Sequence, residues 1–181
     1  MYGIVNRTIE DMVKENFGEQ KWNTILRNSG VDIDFFIGTE PYDDDITYKL
    51  VAAAATETGL SIGAVFRAVG EWWFLRTARE KYRGMTEAGG ASLREFLINL
   101  PMFHNRVMLI YPKLTPPEFR VTDIMTDSLH LHYYSKRPGL SEFVYGLIVG
   151  LAGWYKTDTT IELLASRDNN SDHEVFKVSW K

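Results

Sequence analysis

Leu129-His130-Leu131-His132-Tyr133-Tyr134-Ser135-Lys136-Arg137 is the stretch on which the fold turns, because its alternation reads as a β-strand. Leu129, Leu131, Tyr133, Ser135 and Arg137 then share one face. That face begins apolar and ends in a phenol, a hydroxyl and a guanidinium, all hydrogen-bond donors, and the guanidinium fork fits a carboxylate or phosphate. An amphipathic anionic ligand matches such a surface. A strand whose polar end merely reaches solvent also accounts for these residues taken alone. His130 and His132 fall on the opposite face, where an H-x-H pair with no third ligand in view reads as surface.

Around this strand the sequence keeps a β period on both sides of one apolar helix. Residues 118–125 follow Pro116-Pro117 as a strand; 159–167 and 173–180 read as two more strands around the turn-rich Asp168-Asn169-Asn170-Ser171-Asp172. Between them, 141–156 reads as a helix capped at Ser141 and apolar nearly all round, with Gly146, Gly150 and Gly153 along one side. Glycines cost a helix up to about 1 kcal/mol each, a cost accepted where a flat ligand or another backbone comes close.

The first half is helical instead. Val5, Ile9, Met12 and Val13 have the spacing of one helix face, Gly18 is a stop, and Trp22, Ile25 and Leu26 belong to a second short helix. Asp43-Asp44-Asp45 precedes an alanine-rich helix from Thr47 to Thr58 and reads as its cap rather than as a metal cluster. Ser61 opens a longer helix carrying Phe66, Val69, Trp73 and Phe74, ending near Arg79-Glu80-Lys81. Ser92-Leu93-Arg94-Glu95 has capping-box spacing, and Pro101 is placed in the first turn of a separate helix after Asn99. Helices followed by β-β-α-β-β predict an α+β chain with a four-stranded antiparallel sheet.

Composition narrows the chemistry. The chain has 181 residues, enough for one domain, and a formal net charge of -4 offers no basic footprint for nucleic acid. The longest near-continuous apolar run, Phe143 to Tyr155, is shorter than the roughly 20 residues needed to span a bilayer, and the N-terminus carries no secretory signal. A soluble, cytoplasmic protein without membrane contact is expected. There is no cysteine, which removes disulfides, Cys-zinc sites, iron–sulfur clusters, thiolate-ligated haem and the C-x-x-C-H attachment of c-type haem. Four histidines remain as nitrogen ligands: His104, His130, His132 and His173, the last beside a turn with no role of its own expected.

On a helix after Pro101, His104 shares a face with Leu100, Val107, Met108 and Tyr111, so it should be buried. A lone histidine on an apolar face is most simply a core residue. Paired with a strand that ends in an anion-binding row, it also supplies what haem requires: an axial nitrogen, an apolar slot and partners for two propionates.

Several segments together resemble the haem–nitric oxide/oxygen-binding (H-NOX) family, which includes the haem region of soluble guanylate cyclase and stand-alone bacterial domains. They are Met1-Tyr2-Gly3-Ile4-Val5-Asn6, Tyr42-Asp43-Asp44-Asp45-Ile46-Thr47-Tyr48, Val69-Gly70-Glu71-Trp72-Trp73, Asn99-Leu100-Pro101-Met102-Phe103-His104, Thr115-Pro116-Pro117, and the Tyr-x-Ser-x-Arg motif of Tyr133, Ser135 and Arg137. The likeness runs nearly end to end. It implies one domain over 1–181, with a helical subdomain of about 1–60, a haem-clamping remainder of about 61–181, and non-covalent haem b between helical and sheet-bearing parts. It further implies His104 as the proximal iron ligand, Tyr133, Ser135 and Arg137 as the propionate clamp, Pro117 pressing on the haem, and Val5, Trp73 and Phe143 on the distal side.

The function implied is a gas sensor that binds nitric oxide and carbon monoxide and signals through loss of the iron–histidine bond. Since the strands run to Trp180-Lys181, output is expected in trans, to a histidine kinase or diguanylate cyclase by family analogy. A haem enzyme of peroxidase or oxygen-activating type is the alternative. That chemistry wants a distal acid–base side chain, and none of the assigned distal positions is His, Arg or Tyr.

Overall fold

Four strands form one antiparallel sheet in the order β1-β2-β4-β3, with β1 at Glu118–Thr122, β2 at Ser128–Tyr134, β3 at Thr159–Ala165 and β4 at Glu174–Trp180. This computed structural model describes residues 1–111, 113 and 115–181, apart from the side chain of Ile110. Alternation in β2 works as its sequence predicts: Leu129, Leu131 and Tyr133 are buried, and register pairs Tyr133 with Phe119 on one side and with Glu174 on the other. All four strands are shorter than the 118–125, 128–135, 159–167 and 173–180 read from the sequence. β1 ends at Thr122 because Asp123 takes a left-handed backbone (φ 48°), and β2 ends at Tyr134, after which the Ser135 carbonyl is held by Arg167 rather than by a ladder.

The helices are α1 (Gly3–Phe17), α2 (Glu19–Ser29), α3 (Asp44–Thr58), α4 (Ile62–Trp72), α5 (Arg79–Lys81), α6 (Arg83–Glu87), α7 (Leu93–Ile110) and α8 (Ser141–Tyr155). Three of the four expected caps form; Ser141 does not cap α8, where Leu140 holds that position without a side-chain bond and the Ser141 hydroxyl donates to Glu174 instead. The Asp43 side chain accepts from the Asp45 N–H at 3.0 Å, Ser61 from Ala64 at 3.1 Å, and Ser92 from Glu95 at 3.2 Å. Between α4 and α5 the chain winds as a π-helix from Trp73 to Ala78, a wide turn often found at functional sites. Among the described residues no single helix is long and apolar enough to cross a membrane.

Pro101 does not begin a helix as its sequence context suggested; it sits in the interior of α7. An interior proline costs about 3 kcal/mol, but the buried stripe of Leu93, Phe96, Leu97, Leu100 and Phe103 runs straight through it. Continuous burial of that stripe outweighs the local penalty.

The glycine side of α8 meets a backbone, not a ligand. A Cβ at Gly146 would stand 2.0 Å from the Arg67 carbonyl oxygen, and one at Gly70 would stand 2.2 Å from the Phe143 carbonyl oxygen. α4 and α8 therefore touch main chain to main chain. This contact sets Trp73, at the end of α4, and Phe143, in the first turn of α8, on the wall of one cavity.

Candidate functional site

A cavity of about 390 Å³ lies between the helices and the sheet, within the size range of cofactor pockets. Val5, Trp73, His104, Pro117, Tyr133, Arg137 and Phe143 all line it. Ser135 does not. It lies just past β2, where its hydroxyl accepts from the Arg137 N–H at 3.1 Å while its carbonyl accepts from Arg167 at 2.6 Å. The structure thus brings seven of the eight sequence-derived site residues to one wall and sets the eighth immediately behind it.

His104 is presented by α7, with Leu100 and Val107 from the same helix, and Tyr111 at its end, also on the wall. Its ring stacks on Phe119 at 5.2 Å, and Phe119 in turn packs on Tyr133 at 5.3 Å, so helix α7 is joined to β2 through rings. Nδ1 is sealed from solvent with no hydrogen-bond partner, and among the described residues neither ring nitrogen makes a hydrogen bond. Burial pushes the imidazole pKa down to about 4, against a weaker pull from the Leu100 carbonyl. At neutral pH the ring is uncharged, the form that ligates a metal. Nδ1 has no access to the cavity, so the nitrogen left open to a ligand there is Nε2, which is neither buried nor hydrogen-bonded among the described residues.

The opposite end of the cavity is polar. Arg137 Nε meets Asp44 Oδ2 at 2.7 Å, and one of its terminal nitrogens donates to the Thr115 carbonyl at 3.0 Å. Asp44 also binds the N-terminal amine of Met1. Burial raises the Asp44 pKa, but the amine and the guanidinium outweigh it and keep the carboxyl below its ordinary value. Burial raises the Tyr133 pKa, so that phenol stays a donor. Arg137 is the one guanidinium on the wall, and around it the lining is overwhelmingly apolar.

Four phenols that sequence reasoning did not place here also line the cavity: Tyr2, Tyr42, Tyr82 and Tyr111. The Tyr82 and Tyr111 hydroxyls are hydrogen-bonded to each other, and Trp73 stacks on Tyr82 at 6.1 Å with an interplanar angle of 11°. None of the assigned distal positions is a tyrosine, but Tyr82 stands directly beside one of them, Trp73. Burial, together with the Tyr111 bond, pushes the Tyr82 pKa up, so it is no proton shuttle near neutral pH. No periodicity could have found Tyr82, because it follows the π-helical turn that rotates everything after Trp73.

His173, expected to stand alone, does not. Its Nε2 lies 2.9 Å from His132 Nδ1 on the outer face of the sheet, and its Nδ1 contacts Asp172; His132 Nε2 meets Thr122 at 2.8 Å, while His130 pairs with Asp123 at 3.0 Å. Among the described residues no group of three or more His, Cys, Asp or Glu side chains could hold a metal ion. Burial, His173 and His130 hold the His132 pKa below its ordinary 6.5. The neutral ring is therefore favoured by folding, and the stability it contributes is complete above about pH 6.5 and lost as pH falls through the folded value. Urea midpoints between pH 7.5 and 5 should fall in the wild type and fall less in His132→Asn; equal slopes would show that this pair does not titrate with folding.

Comparison with known proteins agrees with this geometry. Residues 2–163 match the family model for haem-NO-binding domains. The chain is 28% identical over 182 residues to soluble guanylate cyclase gcy-31 of Caenorhabditis elegans, covering 99% of this chain and 26% of that protein. It is 32% identical over 124 residues to the guanylate cyclase soluble subunit beta-2 of Rattus norvegicus, covering 65% of this chain and 18% of that protein. It spans about a quarter or less of the length of these curated relatives. Among solved structures, an H-NOX protein from S. oneidensis in the Fe(II)NO state superposes with a TM-score of 0.90 at 20% identity, over 100% of this chain and 99% of that one. An unliganded Fe(II) H-NOX protein from K. algicida gives 0.86 at 22% identity, over 100% and 97%. A cavity walled by an unpaired neutral histidine and closed by Tyr133 and Arg137, in a chain matched over 2–163, carries one conclusion: this chain belongs to the haem-NO-binding, or H-NOX, family.

Proposed function

We propose that this chain is a haem-based sensor that takes up haem b non-covalently, binds nitric oxide and carbon monoxide, and passes its state to a partner protein. The observation that carries the reading is His104: a neutral imidazole with its Nε2 open and unpaired, on the wall of an apolar cavity that also carries a guanidinium and a phenol. Those residues fit haem. His104 would ligate the iron, Tyr133, Ser135 and Arg137 would bind the propionates, Pro117 would press on the porphyrin, and Val5, Trp73 and Phe143 would wall the gas side. Haem, when bound, would supply an iron able to take up a diatomic gas.

The chain's own contribution is to orient that group and to convert its occupancy into shape. α7 carries His104, so a change in the pull on this side chain moves a helix that ends against Tyr111 and, through Phe119, bears on β2. Arg137 ties the sheet-bearing part to Asp44 and thereby to the amine of Met1, so the clamp and the N-terminal helices form one connected element. Such an element has two arrangements that a ligand can bias. A histidine kinase or a diguanylate cyclase is the proposed reader of those states, by analogy within the family. A peroxidase-like role finds no support on the gas side, where Trp73 and Phe143 are not acid–base groups and Tyr82 is held protonated.

Purified protein with stoichiometric haem absorbance tests the reading directly, and a preparation that takes up no haem refutes it. The clamp has its own test. Lys136 is exposed, whereas Arg137 reaches the cavity. Arg137→Ala should speed haem loss roughly tenfold or more, since a hydrogen bond to a charged group contributes about 1.5–3 kcal/mol. Lys136→Ala should leave the rate unchanged, and equal losses would mean that the clamp is misassigned.

Gas selectivity follows from Phe143, which offers no hydrogen-bond donor where bound dioxygen would need one. Tyr145 lies about 200° further round the helix and is not on the wall. The Trp73 indole N–H makes no hydrogen bond among the described residues, but the ring is stacked on Tyr82 and acts as a steric wall. The reduced protein should change spectrum with nitric oxide and with carbon monoxide, but form no persistent complex under air. A stable air spectrum that disappears in Trp73→Phe would make the indole the donor.

A further inference from the structure

Arg167 lies outside the cavity wall, in a short 3-10 turn at Arg167–Asn169 between β3 and β4, and none of the site assignments above uses it. Each of its three guanidinium nitrogens nonetheless has a partner. Nε donates to Glu174 at 2.8 and 3.0 Å, one terminal nitrogen donates to the Ser135 carbonyl at 2.6 Å, and the other to the Arg137 carbonyl at 3.1 Å. Glu174 is 2% exposed, opens β4 opposite Tyr133, and also accepts from the Ser141 hydroxyl at 3.0 Å at the start of α8.

The place of these bonds gives them their meaning. β2 stops at Tyr134, so from Ser135 onward no sheet ladder holds the backbone, yet Ser135 and Arg137 are the two clamp residues beyond that end. The chain bends at Lys136 and Arg137, and Arg167 takes the carbonyls on both sides of Lys136. The Arg137 side chain is then directed the other way, toward Asp44 and the Thr115 carbonyl at the cavity mouth. A planar fork with five donors can hold a carboxylate and two carbonyls at once; a lysine cannot.

We propose that Arg167, docked on Glu174, is a positioning residue for the anion clamp: it fixes the backbone from Ser135 to Arg137 so that Tyr133, Ser135 and Arg137 converge on the ligand's carboxylates. This rests on the reading of the cavity as a haem site. Arg167 touches no ligand itself; its effect passes through the main chain of the clamp.

The test compares two porphyrins in the haem-loaded protein: haem itself, and haem dimethyl ester, which has no free carboxylates. Release to an excess of apomyoglobin is followed by absorbance in wild type and in Arg167→Lys. The variant should release haem roughly tenfold faster, the lower end of what loss of an outer supporting partner costs a bound centre. It should release the dimethyl ester at the wild-type rate, because that ligand never engages the clamp. Equal acceleration of both porphyrins would mean that Arg167 only stabilises the fold, and unchanged rates for both would mean that it does nothing for the clamp; either outcome overturns the proposal. If Arg167→Lys is unfolded by circular dichroism, Glu174→Gln, which keeps the shape but removes the charge that docks the guanidinium, is measured against the same criterion. A wild type that takes up no haem, or that holds both porphyrins equally, overturns the clamp reading along with the proposal. A wild type that discriminates, beside a variant that loses both porphyrins alike, overturns the proposal alone.

Discussion

Gly146→Ala should lower the melting temperature by about 6–12 °C, while Gly153→Ala, seven residues along the same helix, should leave it unchanged or raise it slightly. At Gly146 the three nearest atoms to an added Cβ are the Arg67 carbonyl oxygen at 2.0 Å, its carbon at 2.8 Å and the Arg67 Cα at 3.0 Å, all main chain. No rotamer change relieves that overlap, so α4 and α8 must separate. Overpacking of this kind costs typically 1–3 kcal/mol and occasionally more, and about 3 kcal/mol corresponds to that shift for a chain of this size. At Gly153 the nearest atom is the end of the Leu75 side chain at 3.1 Å, which can turn away, and alanine gains up to about 1 kcal/mol of helix propensity. The variant has a second consequence. Trp73 and Phe143 owe their places on the wall to the same helix contact, so the gas-side pocket should widen, read as a changed carbon monoxide stretching frequency in the haem-loaded protein. Equal melting temperatures for the two variants would contradict the packing described here.

His104→Gly should give a folded protein whose haem affinity falls by at least 10- to 100-fold, the loss caused by removing even an outer partner of a metal ligand. Added imidazole should restore both the affinity and the iron–nitrogen stretch, because the deleted ring leaves a slot of its own shape between Phe103 and Phe119. The substitution removes a buried nitrogen that has no hydrogen-bond partner, so the apo protein should lose little stability for polar reasons. Unchanged haem content with an unchanged iron–histidine stretch would remove His104 from the site, and the reading of the cavity with it.

Much of this was legible in the chain. Alternation through Leu129, Leu131 and Tyr133 states which face of β2 is buried, and that inference survives because a strand slipped by one residue would bury His130 and His132 instead. The caps at Asp43, Ser61 and Ser92 are local chemistry, each satisfied within three residues. The site was legible where a residue's direction depends on its own helix or strand, as for His104 on α7 and Tyr133 on β2. It was not legible for Ser135, which lies past the point where the ladder stops and so need not obey its alternation.

Sequence alone therefore determined what short-range periodicity and capping control: the first four helices, the antiparallel β-β-α-β-β end, and the two faces that carry His104 and Tyr133. Tertiary structure decided the rest, because each remaining feature is an energy balance between segments far apart in the chain. Pro101 stays inside α7 because a continuous buried stripe outweighs its local cost. Gly146 and Gly150 face the backbone of α4, where a Cβ is excluded. Tyr82 reaches the cavity after a π-helical turn, His132 finds His173 from 41 residues away, and Arg167 holds the clamp from 30 and 32 residues away. None of these contacts repeats at a helical or strand period, so only the folded chain, by bringing the partners within bonding distance, selects them.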